Sequence, residues 1–295
     1  NARRDVGDRA GARAALEAAV QLRPGDAESR NALGLALREF GDIEGAIRSF
    51  DTGLALEPED PGLGYNRAMT LQLSGRLEDA IRGYDFVLGL NPDQVDAINN
   101  RARALQELGR ADEAVDELRR LLVSAPNHQA GWNNLGISRR ASESLELALE
   151  AFERALSIEP NNGEIHNNLG AVAWALGDEG RAISAYERAK NARPGIADAN
   201  LNLAFALAGQ GHHEAAVLEY ESGASQYPDD PRFPIRRALS LPQVCRSVEE
   251  ISGLRADLDG FLDSEQARLL RVDDPILAVG GANFYRVYHG LDDRP

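Results

Sequence analysis

The sequence predicts an all-α protein in which one helix–turn–helix unit is repeated along most of the chain. The leading observation is that seven prolines stand 34 residues apart, at Pro24, Pro58, Pro92, Pro126, Pro160, Pro194 and Pro228. A fixed period of this length is the signature of stacked structural repeats. Because proline lacks a backbone N–H and clashes with the preceding turn, it ends helices. Each unit is therefore expected to end at its proline.

Small residues recur with the same period. Alanine stands twelve residues before each proline, at Ala12, Ala46, Ala80, Ala114, Ala148, Ala182 and Ala216. A second small position holds Gly34, Ala68, Ala102, Gly136, Gly170 and Ala204. A larger side chain between two tightly packed helices would cost about 1–3 kcal/mol. We therefore expect the alanine of one helix to face the glycine or alanine of the other.

Two further positions complete the repeat. A large apolar residue lies four residues after each alanine, at Leu16, Phe50, Tyr84, Leu118, Phe152, Tyr186 and Tyr220. It shares a helix face with the alanine and is expected to fill the gap between neighbouring repeats. Glycine recurs at Gly7, Gly41, Gly75, Gly109, Gly177 and Gly211, with Glu143 as the one departure. Glycine tolerates the left-handed geometry in which the first helix of each unit is expected to end.

This set of positions resembles the tetratricopeptide repeat family. Within residues 27–60 the family's positions read Leu33, Gly34, Leu37, Gly41, Ala46, Phe50 and Pro58. The match recurs in residues 61–94, 95–128, 129–162, 163–196 and 197–230. The resemblance implies a right-handed superhelix of helix pairs, an α-solenoid, over residues 1–230. Residues 1–26 fit a partial repeat, which consists of a second helix and the tail of a first.

Composition restricts the classes of function. The net charge of −15 and the isoelectric point near 4.8 argue against binding to nucleic-acid phosphates. Cys245 is the single cysteine, so the chain has neither an internal disulfide nor a cysteine-based metal site. No apolar run reaches membrane-spanning length. We expect a cytoplasmic protein that binds proteins or extended peptides, not nucleic acid or membrane, and that needs no cofactor or metal.

The first helix of each repeat is expected to line the concave side of a stacked array. One position on it holds asparagine in five successive repeats, at Asn66, Asn100, Asn134, Asn168 and Asn202, and the preceding position adds Asn31, Asn99, Asn133 and Asn167. An asparagine amide offers one acceptor and two donors, which match the C=O and N–H groups of an extended peptide. Two interpretations remain open, namely a ladder that grips a peptide backbone and a set of amides that serves helix packing.

Other side chains are predicted to line the same groove, namely Tyr65, Arg103, Arg140, Trp174, Leu201 and Phe205. Trp174 could anchor a partner, as aromatic residues often do, or pack on the next repeat. His166 occupies a position where the family often has an aromatic residue, which favours a packing role. Arg67 and Arg101 replace a usual leucine and are expected to extend towards solvent.

The period breaks after Asp230. Prolines at 231, 234 and 242 bracket a short helix, predicted over residues 235–240, that would cover the open end of the last repeat. A capping-box pattern at residues 247–250 predicts another helix through Leu262. Residues 231–295 are therefore expected to form a helical cap and a linker.

The last residues carry a second resemblance. The string Asn283-Phe-Tyr, Tyr288-His-Gly and Asp293-Arg, together with residues 237–242, is similar to the junction after the repeats of bacterial SPINDLY-like O-linked N-acetylglucosamine transferases. This implies the substrate-recruiting arm of a transferase, with Asn134, Asn168 and Asn202 nearest its catalytic part. These 295 residues contain no catalytic constellation, so no enzyme activity is expected of them. The alternatives are a stand-alone adaptor that scaffolds a bacterial assembly, and self-association through exposed apolar faces.

Overall fold

The computed structural model describes residues 2–192, 196–240 and 253, with the backbone alone for residues 2–10, 238 and 239. Regular structure in these ranges is entirely α-helical. The helices are α1 Ala2–Leu22, α2 Ala27–Glu39, α3 Ile43–Leu56, α4 Pro61–Leu73, α5 Leu77–Leu90, α6 Val95–Glu107, α7 Ala111–Ser124, α8 Gln129–Ala141, α9 Leu145–Ile158, α10 Gly163–Ala175, α11 Glu179–Asn191, α12 Ala197–Gly209, α13 His213–Gln226 and α14 Arg232–Leu239. The chain divides into two compact units, residues 1–158 and 159–295.

The first unit contains α1 to α9. Each even-numbered helix is the first helix of a repeat, and the odd-numbered helix after it is the second. Hairpins form between the two helices of a repeat, and successive hairpins pack in chain order. The second helices α3, α5, α7 and α9 all end two residues before the periodic proline. These positions confirm the predicted helix ends. The physical reason is that the residue before a proline disfavours helical geometry.

The periodic alanines form the centre of the hairpins. Ala46, Ala80, Ala114 and Ala148 in the first unit, and Ala182 and Ala216 in the second, have no exposed surface. Ala12 is the exception, since it is exposed on α1. Among the described helices α2 is the main packing partner of α1, and it belongs to the next repeat, so Ala12 has no facing helix of its own repeat.

The large residues make a contact that the sequence did not predict. A Cβ atom built on Gly34 would lie 2.5 Å from Cε1 of Phe50, and one on Gly136 would lie 2.6 Å from Cε1 of Phe152. In these repeats the small residue therefore faces the aromatic ring of its own hairpin, because glycine exposes bare backbone against which a flat ring can lie. Phe50 also belongs to a buried cluster with Val20 and Leu63 of the neighbouring repeats.

The turn within each hairpin follows the prediction. The glycines that end first helices have positive φ angles, at Gly41 (85°), Gly75 (78°), Gly109 (76°), Gly177 (80°) and Gly211 (84°). Glu143 adopts the same left-handed conformation with φ of 56°. Gly7, in contrast, lies inside α1. The expected helix end at Gly7 is therefore wrong, and the residues on both sides of it form one continuous helix.

Replacing Glu143 by glycine is expected to raise the free energy of unfolding by about 1 kcal/mol, because a side chain in left-handed geometry is strained. Chemical denaturation followed by far-ultraviolet circular dichroism would measure the change. Glu143→Ala removes the carboxylate but keeps Cβ, so it should not reproduce the gain. Equal stabilisation by alanine and glycine would contradict the backbone explanation.

The second unit contains α10 to α14. Helices α10 and α11 form one hairpin, α12 and α13 form the next, and α14 packs on α13. Helix α13 ends two residues before Pro228, whereas Pro194 lies outside the described residues. Phe233 of α14 is fully buried and stacks on Tyr227 with ring centroids 6.0 Å apart, so α14 covers this part of the last hairpin.

Helix α14 begins three residues before its predicted start. Arg232 opens it, and the guanidinium binds Asp230 at 2.7 Å and Asp198 at 2.6 Å. These ion pairs hold the chain at the point where the helix starts. Arg237 then pairs with Glu221, sixteen residues earlier, at 2.8 Å. Arg67 and Arg101 bind acidic residues at the same separation, so α14 occupies the position of a further first helix although the proline period has ended.

Two sequence predictions fall on residues that the structure does not describe. The helix predicted to follow the capping box at residues 247–250 lies outside the described ranges, apart from Gly253. The transferase-like string at residues 283–294 also lies outside them.

Candidate peptide-binding surface

The asparagines of the first helices bond to one another between adjacent repeats. In the first unit Asn66 donates from Nδ2 to Oδ1 of Asn31 at 2.9 Å, and Asn134 donates to Asn99 at 2.9 Å. In the second unit Asn202 donates to Asn167 at 2.9 Å. We call these pairs the asparagine clasps, together with the bond of 2.7 Å from Asn100 Nδ2 to Tyr65 Oη.

Each clasp joins two positions that are separated in sequence by one repeat length plus one residue. Each donor lies 35 positions after its acceptor, so it reaches the neighbouring position on the first helix of the preceding repeat. A clasp therefore links two first helices side by side. This geometry supports the packing interpretation for part of each amide. The other candidates of the two positions, Asn133 and Asn168, also lie on first helices, α8 and α10.

A clasp does not use the whole amide. It occupies one N–H of the donor residue and one lone pair of the acceptor residue, whereas each amide has two N–H groups and an oxygen with two lone pairs. Asn31, Asn66, Asn99 and Asn100 are half-buried. Asn134 is only 8% exposed. The remaining hydrogen-bonding capacity of the first unit therefore lies mainly with the half-buried members.

Tyr65 adds a phenol to this surface. Its ring lies 6.1 Å from the ring of Tyr84, centroid to centroid, at an interplanar angle of 58°. Burial, followed by the nearby Asp96 carboxylate, raises the pKa of Tyr65 above its usual value of 10. The hydroxyl is therefore protonated at neutral pH, so it accepts a hydrogen bond from Asn100 and can donate one elsewhere.

The two arginines predicted for the surface are exposed. Arg103 lies on α6 and Arg140 near the end of α8. Arg103 approaches Glu107 at 3.5 Å, with both side chains more than two-fifths exposed. Such an exposed pair contributes about 1 kcal/mol or less, so Arg103 can exchange this contact for a partner's carboxylate.

In the second unit the predicted aromatic residues contact each other. The rings of Trp174 and Phe205 meet edge to face, with centroids 5.7 Å apart. Trp174 thus packs on α12, the next first helix, and it is half-buried, while Phe205 remains 45% exposed. This contact supports the packing interpretation of Trp174. Leu201 is 1% exposed, so its predicted place in the groove is wrong.

His166 and Trp132 have the packing role that the sequence predicts for His166. His166 is buried, and its Nε2 lies 2.8 Å from the carbonyl oxygen of Pro160. Trp132 stands one repeat earlier and donates from Nε1 to the carbonyl of Pro126 at 2.8 Å. Each ring therefore joins the start of a first helix to the periodic proline before it.

Arg67 and Arg101 do not simply extend into solvent. Arg67 binds Asp51 at 2.5 Å, and Arg101 binds Asp85 at 2.7 Å and Glu117 at 3.1 Å. Each aspartate lies sixteen residues earlier, on the second helix of the preceding repeat. The expectation is corrected because the repeat geometry brings a carboxylate within reach of the guanidinium.

The described ranges contain neither a metal-binding cluster nor a membrane-spanning helix. There, no group of three or more His, Cys, Asp or Glu side chains is arranged to hold a metal ion. None of the helices in those ranges is both long and apolar enough to cross a membrane.

Family models match most of the repeat region. Models described as tetratricopeptide repeat match residues 1–61, 71–135 and 163–195, and one described as TPR repeat matches residues 136–177. Together they cover more than half of the chain. No curated protein matches it.

Solved structures share the fold. A tetratricopeptide repeat protein from Parabacteroides merdae aligns with a TM-score of 0.64 at 18% identity, over 88% of this chain and 94% of its own. MamA from Desulfovibrio magneticus gives 0.52 at 22% identity, over 56% and 93%. YrrB, described as a TPR protein with an unusual peptide-binding site, gives 0.50 at 17% identity, over 63% and 95%. At these identities the likeness establishes the fold alone.

Proposed function

The chain belongs to the tetratricopeptide repeat family, and on this premise we propose that it is a protein-interaction module that binds an extended peptide across the first helices of its repeats. The observation that carries the proposal is that each clasp uses only part of the hydrogen-bonding capacity of its two amides. The clasp leaves Oδ1 of Asn66 and both N–H groups of Asn31 unused. YrrB, which has the same fold, is described as binding peptides.

The same amides are suited to backbone recognition. The oxygen of Asn66 can accept from a peptide N–H, and the amide nitrogen of Asn31 can donate to a peptide C=O. Because each repeat from residue 27 to residue 230 has an asparagine at one or both of these positions, a peptide in extended form can engage several of them without a fixed sequence. The clasps hold the side chains in place beforehand, which lowers the entropy lost on binding.

Replacing both Asn66 and Asn100 by alanine is expected to weaken peptide binding by about thirtyfold. Each lost hydrogen bond contributes about 1 kcal/mol, and 1.4 kcal/mol corresponds to about tenfold in affinity. The probe is a fluorescein-labelled, unstructured peptide of about 15 residues, selected on the wild-type protein from a random library. Fluorescence anisotropy measures the dissociation constant.

The double variant Asn127→Ala, Asn161→Ala is the matched control, because it removes two exposed amides that lie in turns outside the first helices. It should bind the peptide as tightly as wild type. Equal losses in the two double variants would show that the clasped amides have no special role. Unchanged affinity in the Asn66→Ala, Asn100→Ala variant would contradict the gripping role directly.

A narrower role within this function is substrate recruitment for a SPINDLY-like O-linked glycosyltransferase in the bacterial cytoplasm. It rests on the resemblance of residues 281–294 to the junction of those enzymes. The alternative is a stand-alone adaptor in a protein assembly. The natural reading frame beyond Pro295 distinguishes them. A following nucleotide-sugar-binding domain supports the recruiting arm, whereas a stop codon favours the adaptor.

A further inference from the structure

Besides the surface that carries the asparagine clasps, the first unit has a cleft among α7, α8 and α9. Its volume is about 860 Å³. From α8 it is lined by Trp132, Leu135 and Arg139. These positions follow the i, i+3, i+7 stripe of one helix face, whereas Asn133 and Arg140 each lie about 100° further round the same helix. The cleft is therefore separate from the surface that carries the asparagine clasps.

Apolar side chains in the cleft are exposed to solvent. Val123 on α7 is 85% exposed, and Leu147 on α9 is 45% exposed. Trp132 lines the same cleft and is only partly buried. Because its indole N–H is already bonded to Pro126, the ring offers the cleft apolar surface and no free donor. A ligand for this site therefore needs apolar side chains.

Three arginines also line the cleft, namely Arg119, Arg139 and Arg154. No ion pair is formed by any of them within the part of the chain that the structure describes. Glu150 and Glu153 line the cleft as well. The lining therefore has more basic than acidic side chains, although the protein has a net charge of −15.

The equivalent cleft two repeats earlier, among α3, α4 and α5, provides a comparison. Its volume is about 340 Å³. Its three arginines all form ion pairs, since Arg67 pairs with Asp51, and Arg76 and Arg82 share Asp79. The position of Trp132 is occupied there by a glycine, Gly64, over which the ring of Phe86 lies. The earlier cleft is therefore smaller and its arginines are paired, whereas the cleft among α7, α8 and α9 is larger and its arginines have no described ion pair.

We propose that the cleft among α7, α8 and α9 is a second binding site, for an acidic segment of a partner protein that carries large apolar side chains. The apolar side chains enter between Val123, Trp132 and Leu147. The carboxylates of the segment pair with the three arginines of the cleft, for which the described residues supply no ion pair. The site is independent of the peptide-binding surface proposed above, so either can exist without the other.

The experiment measures binding of two labelled peptides of 12 residues to the whole chain by fluorescence anisotropy. One peptide has leucine or phenylalanine at four positions and glutamate at five, and the other has lysine in place of each glutamate. We expect the acidic peptide to bind at least tenfold more tightly. The double variant Arg119→Glu, Arg154→Glu and the single variant Leu147→Asp should each weaken its binding at least tenfold.

The matched control is the double variant Arg23→Glu, Arg48→Glu, which makes the same charge change at exposed positions outside the cleft. It should change the affinity less than threefold. Equal losses in the two double variants would show a non-specific charge effect and overturn the proposal. Equal binding of the two peptides, or none, would overturn it as well. So would a concentration-dependent dimer that Leu147→Asp converts to monomer, since a second copy of the chain would then occupy the cleft.

Discussion

Replacing Phe152 by alanine is expected to lower the free energy of unfolding by about 3–5 kcal/mol. The side chain has no exposed surface. Its ring lies against the backbone of Gly136, where a Cβ atom would come within 2.6 Å of Cε1. Because glycine has no side chain that could move into the vacated space, the cavity left by the ring would collapse only in part.

Urea denaturation followed by far-ultraviolet circular dichroism would measure the loss. The control is Phe205→Ala, which removes the same ring from a position that is 45% exposed. Since less apolar surface returns to water there, the cost should be well below that of Phe152→Ala. Similar losses at the two positions would contradict the role of the Gly136–Phe152 contact.

A second test of this contact uses both partners. Gly136→Ala alone should destabilise the hairpin, because the new Cβ overlaps the ring edge. Combined with Phe152→Leu, which shortens the side chain, the same alanine should cost less. Residues in direct contact show such non-additive effects of about 0.5–3 kcal/mol. Strict additivity would mean that the two residues do not share the space.

Replacing Gly223 by alanine is expected to release α14 from the end of the second unit. A Cβ atom at this position would lie 1.9 Å from Cε1 of Phe233. Phe233 is fully buried among Leu201, Ala204 and Tyr220, so its ring cannot yield without leaving the core. Overpacking of this kind costs about 1–3 kcal/mol.

Amide hydrogen exchange in residues 232–239 should speed up in this variant, while exchange in α10 and α11 should change little. Gly180→Ala provides the control, because nothing lies within 4 Å of the added methyl group and alanine is the better helix former. It should leave stability equal or slightly higher. Protection of α14 that survives Gly223→Ala would contradict the proposed anchoring by Phe233.

The sequence predicted helix ends better than side-chain partners. Proline and glycine act through the backbone of their own turn, so the positions of Pro58 and Gly41 sufficed to place the end of α3 and the turn after α2. Glu143 was recognised as a departure, but its positive φ became visible only in the structure. At Gly7 the prediction was wrong, because the local sequence also suits a continuous helix, and α1 has no facing helix within its repeat among those described.

The candidate site was predicted in part. The sequence identified the two asparagine positions, and it left open whether the amides bind a peptide or pack. Asn31 and Asn66 are 35 residues apart, which is one repeat plus one residue. This spacing could have predicted the clasp. The cleft around Trp132 was missed, because its residues come from three helices and follow no period of their own.

Helices, turns and repeat boundaries were therefore readable from the chain alone, because backbone preferences act over a few neighbouring residues and are repeated every 34 positions. The partners of polar and charged groups could not be predicted from the sequence. Arg67 pairs with Asp51, whereas Arg139 forms no ion pair among the described residues, and this difference depends on the few ångströms that separate helices of adjacent repeats. That distance is set by packing across the repeat interface, since hydrogen bonds and ion pairs form only between atoms that packing brings within about 3 Å.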